Sequence, residues 1–439
     1  MNKIRAGFAV KDITPEKSVP GRLGLIHLIH PHHPISVKAA AIENDSGKYL
    51  MIVCEVVGLT KSVNKLIRDR IVSKTGIPYQ NIIITGTHTH ASPWIWDLQD
   101  EQARKYGLPV LEHDWMEKFI KNSADAGIDA ISNMGLFSVR YGISETNGIV
   151  SNRVHPVTRW SICADEEIRN APEGTVDNNV RTISFHDESG EPVFVFSNLA
   201  CHPSAYGGGR TKKVSPDFPY YAEKYIKEKF GEKTAVAYWM GCAGNINSGK
   251  YVGSGSEEEV ISIGESLGKS IADAVDNSRY LDEADFLCKY KKFTLPVGDF
   301  VLSPEENKKR FKDISEEIKT KDTYTDEEVF QWRKVLKQLD VSLLSQGKEM
   351  EIEFQLIRFA DTDLLFVPGE WYVEMYFNLA EINPKRNLLV TTVNNFDLLY
   401  IPDESAMPNK DWYGVRTGMR SLGNESAIEL FKKAVEFLT

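Results

Sequence analysis

Nowhere in this 439-residue chain do eighteen uncharged apolar residues follow one another, which leaves no candidate for a membrane-spanning helix. Cysteine is scarce. The five residues Cys54, Cys163, Cys201, Cys242 and Cys288 are odd in number, widely separated and mostly set in apolar strand-like runs, and none forms a CxxC pair. That argues against a thiolate zinc site and a disulfide framework, and for reduced, buried thiols. Positive charge is not in excess either. With 52 Lys and Arg against 62 Asp and Glu the net charge is −10, and the basic residues are scattered, so there is no electrostatic footprint for nucleic acid. The opening MNKIRAGFAVKDITPEK has no apolar run of signal-peptide length, so the expected location is cytoplasmic. Internal repeats and low-complexity linkers are missing too, and a single large catalytic domain over residues 1–439 is expected.

What is present is a globular composition, 42% hydrophobic and 26% charged, in a chain long enough for a sizeable core. Runs such as YLMIVCEVV, NIIIT, VRTISFH, PVFVFSN, AVAYWM, IEFQLIRFA and NLLVTTV are β-branched, aromatic or of period two, and predict strands. Between them SVNKLIRDRIVSK, HDWMEKFIKNSADAGIDAISN, FPYYAEKYIKEKF, EEEVISIGESLGKSIADAVDN and ESAIELFKKAVEFL carry apolar residues at helical spacing. The class is α/β: mixed β-sheets packed together and flanked by helices, with functional residues on loops at strand ends. Residues 300–348, charged and poor in glycine, are expected to form a helical insertion.

Five segments carry candidate chemistry. In QNIIITGTHTHASPWIWD an apolar strand runs into Thr87-His88-Thr89-His90; in extended backbone residues i and i+2 share a side, so both histidines can face one cleft. On these residues alone, metal or catalytic use and ordinary buried histidines stand about level. VFVFSNLACHPSAYGGG repeats the design with His202, either a third imidazole or a structural histidine at a strand end, beside a Cys201 that reads as packing. Asp217 sits where a helix begins and reads as a cap. The glycine-rich Gly241–Asn247 loop lacks the Lys-Ser/Thr pair of a phosphate loop. Glu370 reads as opening a helix, where the dipole alone would favour a carboxylate, and Tyr400 and Tyr413 read as packing residues after a strand. The run from His27 to His33 holds four histidines, but its prolines and mixed spacing define no coordination geometry.

Taken together and in order, AGFAVKDITPE, THTHASP, SNRVHP, ACHPS, SPDFPYYA, GCAGNINS, PGEWY and YIP resemble the motifs of the neutral, non-lysosomal ceramidase family, over nearly the whole chain. Members are zinc amidases that cleave the N-acyl bond of ceramide, and the likeness is to their N-terminal catalytic domain. The resemblance implies His88, His202, Glu370 and Tyr400 as Zn²⁺ ligands, with His90, Arg153 and Tyr413 contacting the scissile carbonyl. It also implies a pocket-mouth histidine, which makes His33, or its neighbour His32, a substrate contact, and an amide hydrolysed by zinc-activated hydroxide.

The sequence departs from the family pattern in three places. Asn245 stands in a loop where the family has aspartate, Ser215-Pro216-Asp217 replaces a Ser-Gly-Asp, and Trp94 and Trp96 replace glycines. The two tryptophans suit either stacking on a sugar ring or packing in a lid. The expectation is a small-molecule substrate met without the secretory signal and additional C-terminal β-domain of family members, which argues against ceramide itself. An ester or glycoconjugate is the alternative substrate class, and a non-catalytic binding protein on the same fold is the alternative role. Membrane insertion is not expected, and oligomeric state is not readable from the sequence.

Overall fold

A computed structural model describes residues 3–21, 28–93, 95, 113–153, 174–206, 211–249, 255–281, 286–318, 335, 338–339, 341–342, 345, 347–396, 398–410, 414–415 and 420–439. Two sheets dominate. The larger has nine strands, eight of them in the order Ala235–Met240, Pro192–Leu199, Asn179–His186, Gly135–Glu145, Ile4–Asp12, Ser36–Asn44, Gly47–Cys54 and Ile82–Gly86, with the short Arg279–Tyr280 pairing on Gly135–Glu145. Pairing is parallel at its two outer pairs and antiparallel between them. The smaller sheet has the order Phe286–Pro296, Glu349–Phe359, Thr362–Phe366 and Asn387–Thr391.

Period-two patterning decides which face meets what. Along Pro192–Leu199, Phe194 and Phe196 point into the core shared with the smaller sheet, while Val195 and Leu199 point to the helices behind. Ala235–Met240 repeats this, with Ala237 and Trp239 on one side and Val236, Tyr238 and Met240 on the other. Trp239 stacks on Phe196 at 3.8 Å between ring centroids. From the smaller sheet, Ile357, Phe359, Leu364, Phe366 and Leu389 complete this inter-sheet core. Helices Lys61–Thr75, His113–Ser132, Phe218–Phe230 and Glu257–Asp276 cover the outer face of the large sheet. Val373–Ala380 and Asn424–Leu438 cover that of the small one, giving layers of helix, sheet, sheet and helix.

The helix ends follow ordinary capping chemistry. Thr60 caps Lys61–Thr75, which closes on left-handed Gly76. Ser256 caps Glu257–Asp276, whose first turn holds Glu257, Glu258 and Glu259. That helix lies hard against Phe218–Phe230: a Cβ at Gly264 would come within 2.6 Å of the Phe218 carbonyl oxygen, so no side chain fits there. Pro304–Ile318 is helical within the span expected as an insertion. Among the described residues no helix is long and apolar enough to cross a membrane. Cys54, Cys201, Cys242 and Cys288 are free thiols, the first three buried, and Cys163 lies outside the described residues.

Ile82–Gly86 and Ala235–Met240 are opposite edges of the large sheet, yet one segment is bonded to both. Thr392 N–H donates to Met240 O at 3.0 Å and Asn395 N–H to Ile84 O at 2.7 Å, while Asn394 bridges Thr85. This requires left-handed backbone at Val393 (φ 57°) and Asn395 (φ 63°). Asn395 is held there by its side chain, which accepts from buried Arg68 at 2.6 Å and donates to Gln355 at 3.0 Å. Arg68 also pairs with Glu353 at 2.9 Å. Asn395→Ala removes these bonds and places a residue poorly suited to φ > 0, so it is expected to cost about 2–4 kcal/mol. Urea unfolding of purified protein measures it, and a loss within experimental error would refute this role for Asn395.

Candidate metal centre

The buried, β-branched strand Ile82–Gly86 hands its chain to the Thr87–His90 segment, which still pairs with the end of its neighbour: Thr87 N–H donates to Cys54 O at 2.9 Å and His88 N–H to Val56 O at 3.0 Å. The backbone is not extended as expected, because His88 adopts φ 67°. The two rings nevertheless converge, with centroids 5.4 Å apart. His202, three residues beyond the end of Pro192–Leu199, brings its ring to 4.8 Å from His88 and 5.4 Å from His90. Its approach is fixed where His90 N–H donates to Pro203 O at 2.9 Å.

Glu370 corrects the sequence reading. It does not open a helix: Glu370–Trp371 is a two-residue strand, and the helix begins at Val373. This strand pairs in parallel with Tyr400–Ile401, with Glu370 in register with Tyr400, so backbone pairing sets the two proposed oxygen ligands side by side. The Gly241–Asn247 loop packs on its other side. Gly244 N–H donates to Trp371 O at 2.7 Å, and a Cβ at Gly244 would collide with the Glu370 carbonyl. That explains the glycine.

The hydrogen bonds around these side chains decide which of their atoms are left for a metal. His88 Nδ1 lies 2.5 Å from Val57 O and His202 Nδ1 lies 2.9 Å from Ile246 O. A carbonyl can only accept, so His88 Nδ1 carries the proton and its Nε2 presents a lone pair; at His202 the Ile246 carbonyl favours the same tautomer, while Arg153 Nη2 lies within hydrogen-bond distance of both ring nitrogens, at 2.9 and 3.0 Å. Both Nε2 atoms face Glu370 Oε2, at 3.4 Å from His88 and 2.9 Å from His202. Among the described residues His88 Nε2 has no hydrogen-bond partner, and His88, His202 and Glu370 are fully buried. Burial, reinforced by Arg153, holds His202 down to about 3. Imidazole nitrogens and a carboxylate oxygen converging in a buried site make a donor set that fits a cation, and backbone-anchored Nδ1–H groups are the usual support for metal-binding histidine. His88, His90 and His202 also form a buried trio spaced to hold an ion. Tyr400 is buried, and Arg153 lies between the two sides, with Nη1 3.5 Å from Tyr400 Oη and Nη2 3.0 Å from His202 Nε2.

Not every expected residue joins this cluster. His33 lies in a second group with His32 and Glu257. Trp94, Trp96 and Tyr413 lie outside the described residues, although Val415, two positions after Tyr413, packs with Tyr372 and Tyr400. Missed altogether were the carbonyls of Val57 and Ile246, which no side-chain pattern could signal. Buried Cys201 has its thiol pushed well up by burial, as suits packing.

Two solved structures are similar to this chain over 99% of its length. One is described as the crystal structure analysis of neutral ceramidase from Pseudomonas aeruginosa, with TM-score 0.74, 16% identity and 74% of that chain covered. The other, a ceramidase complexed with C2, has TM-score 0.73, 15% identity and 74% coverage. The chain has the neutral ceramidase fold. No family model matches the sequence, and no curated protein does.

Within the ceramidase fold the Asn245 departure has a local reason. Asn245 Oδ1 accepts from Val373 N–H at 2.9 Å while its Nδ2 donates to Glu374 at 2.8 Å, so an aspartate here would set two carboxylates against each other. Asp217 is the cap expected. Its carboxylate accepts from Phe218 N–H at 2.8 Å and reaches back to the Ala205 and Tyr206 N–H groups, each at 3.1 Å, tying the loop after His202 to a helix start. Burial raises its pKa to about 6, against those three donors. A carboxyl raised above its unfolded value of about 3.9 contributes stability below that pH, and loses it as pH rises through 6. Between pH 4 and 7 the wild type should therefore lose about 2–3 kcal/mol that Asp217→Asn does not. Paired urea melts across this range read the difference in slope; parallel pH profiles would rule the assignment out.

Proposed function

We propose that the chain is a zinc-dependent hydrolase of N-acyl amide bonds, with His88, His202, Glu370 and Tyr400 as metal ligands. The observation that carries this reading is the convergence of His88 Nε2 and His202 Nε2 on one buried carboxylate oxygen of Glu370. Two imidazoles, a carboxylate and a phenol oxygen form an N₂O₂ set suited to Zn²⁺. The ceramidase fold and the eight motifs support the choice of amide.

Zinc, when bound, supplies Lewis acidity and lowers the pKa of a water toward about 7. The chain's own residues do the rest. Arg153 brings a fixed positive charge beside the ligands, suited to a carbonyl oxygen gaining negative charge, and Tyr413 is assigned to the same carbonyl. His90 is 8% exposed where His88 and His202 are fully buried, so it is the imidazole on the open side. It is suited to moving a proton between water and the departing nitrogen. Trp94 and Trp96 are assigned to the substrate.

His88→Ala or His202→Ala should abolish stoichiometric zinc, measured by elemental analysis. His90→Ala should retain zinc and lose about 10²–10⁴-fold in kcat. Full activity in His90→Ala would overturn its role, and metal-free, inactive wild type would favour a binding protein. Assaying zinc-loaded protein against N-acyl amides, esters and glycosides separates the substrate classes.

A further inference from the structure

Away from the buried centre, a second set of ligating side chains converges where sequence spacing alone defines no geometry. His32 and His33 follow the short strand Leu28–Pro31, and both of their N–H groups donate to Val214 O, at 3.1 and 3.0 Å. Opposite them stands Glu257, more than two hundred positions away, at the start of Glu257–Asp276. His32 Nε2 lies 3.2 Å from Glu257 Oε2, and His33 Nε2 lies 4.0 Å from Oε1. The Tyr221 hydroxyl is 3.3 Å from His33 Nε2 and donates to Glu257 Oε1. One donor atom from each of His32, His33 and Glu257 falls within 4.8 Å of the others. Tetrahedral zinc with bonds of about 2.0–2.1 Å needs ligand atoms about 3.3 Å apart, so small side-chain adjustments close the set.

The surroundings are built for it. His33 Nδ1 is 3.0 Å from Ser215 Oγ, and its ring stacks on Tyr220 at 4.0 Å, which fixes the orientation of Nε2. The side chains of His32 and Glu257 are 35% and 30% exposed, so an ion can enter from solvent. A cation already occupies the carboxylate: Lys213 pairs with Glu257 and rests 4.5 Å from the centre of the Tyr206 ring.

We propose that His32, His33 and Glu257 form a second divalent transition-metal site, which fills when an ion such as Zn²⁺ displaces the Lys213 ammonium. Displacing Lys213 and desolvating a half-exposed site make it weaker than the buried centre, so it fills only as free metal rises. It is wired to the first site through Ser215. Ser215 N–H donates to Ala91 O at 2.8 Å, and its carbonyl accepts from Thr89 Oγ1 at 2.9 Å, both on the segment that carries His88 and His90.

The test is a zinc titration of the full chain against a chromophoric chelator, with Co²⁺ and visible absorption as a second probe. The expected result is one weaker equivalent beyond the tight one. His32→Ala and Glu257→Gln should each weaken that equivalent about tenfold or more while leaving the tight one intact. Lys213→Met should strengthen it several-fold, because the ammonium no longer competes for the carboxylate. His202→Ala should keep the weak equivalent while losing the tight one, so failure of the buried centre and failure of this site read separately. A wild type without the weak equivalent, or one that binds it unchanged in folded His32→Ala and Glu257→Gln, overturns the site. An unchanged affinity in Lys213→Met overturns the displacement.

Discussion

Everything at the metal centre depends on one backbone segment lying between two sheet edges. Thr391–Asn395 leaves the small sheet, bonds to Met240 on one edge of the large sheet and to Ile84 on the other, and so fixes the distance between them. His88 is delivered from the Ile84 side and His202 from the strand beside Met240. Without that connection the two imidazoles would belong to strands at far ends of a sheet order eight strands long. The conformation is costly, with two non-glycine residues at positive φ, and it is held by Arg68, Gln355 and Glu353 around Asn395. The scaffold thus carries left-handed backbone both in this connection and at the ligand residue His88 itself.

The electrostatics of the centre follow from what surrounds the rings. The Val57 carbonyl, which cannot donate, dictates that His88 carries its proton on Nδ1, and the Ile246 carbonyl favours the same at His202. Burial keeps His202 neutral, and Glu370 meets the two Nε2 atoms with a carboxylate. Imidazole nitrogens and a carboxylate face one another in a buried site, an arrangement stabilised by a cation between them. The exposed cluster at Glu257 uses the same side-chain types differently. There Lys213 already supplies the positive charge, so the carboxylate is satisfied within the chain.

Sequence patterning read the long elements well because their signal is local. Ala235–Met240 and Phe218–Phe230 fall where period-two and period-3.6 spacing put them, and Asp217 caps the helix that its position suggested. The short pairings were not legible. Glu370–Trp371 with Tyr400–Ile401, Val150–Asn152 with Ile246–Ser248, and Lys213–Val214 with Leu28–Pro31 are each two to four residues long, too short for any periodicity. Yet these pairings aim Glu370, Arg153 and His33, and the misreading of Glu370 as a helix-opening residue came from that gap.

By itself the sequence determined the α/β class, the strand-end positions of His88 and His202, and, through the order of its motifs, the ligand set to look for. Those are properties of local hydrophobic period and of residue identity. Only the tertiary structure decided that the two edges meet, which imidazole nitrogen carries the proton, and that His32 and His33 face a glutamate from a distant helix. Each of these depends on a backbone carbonyl or a long-range partner, and a backbone group leaves no trace in the residue types that present it.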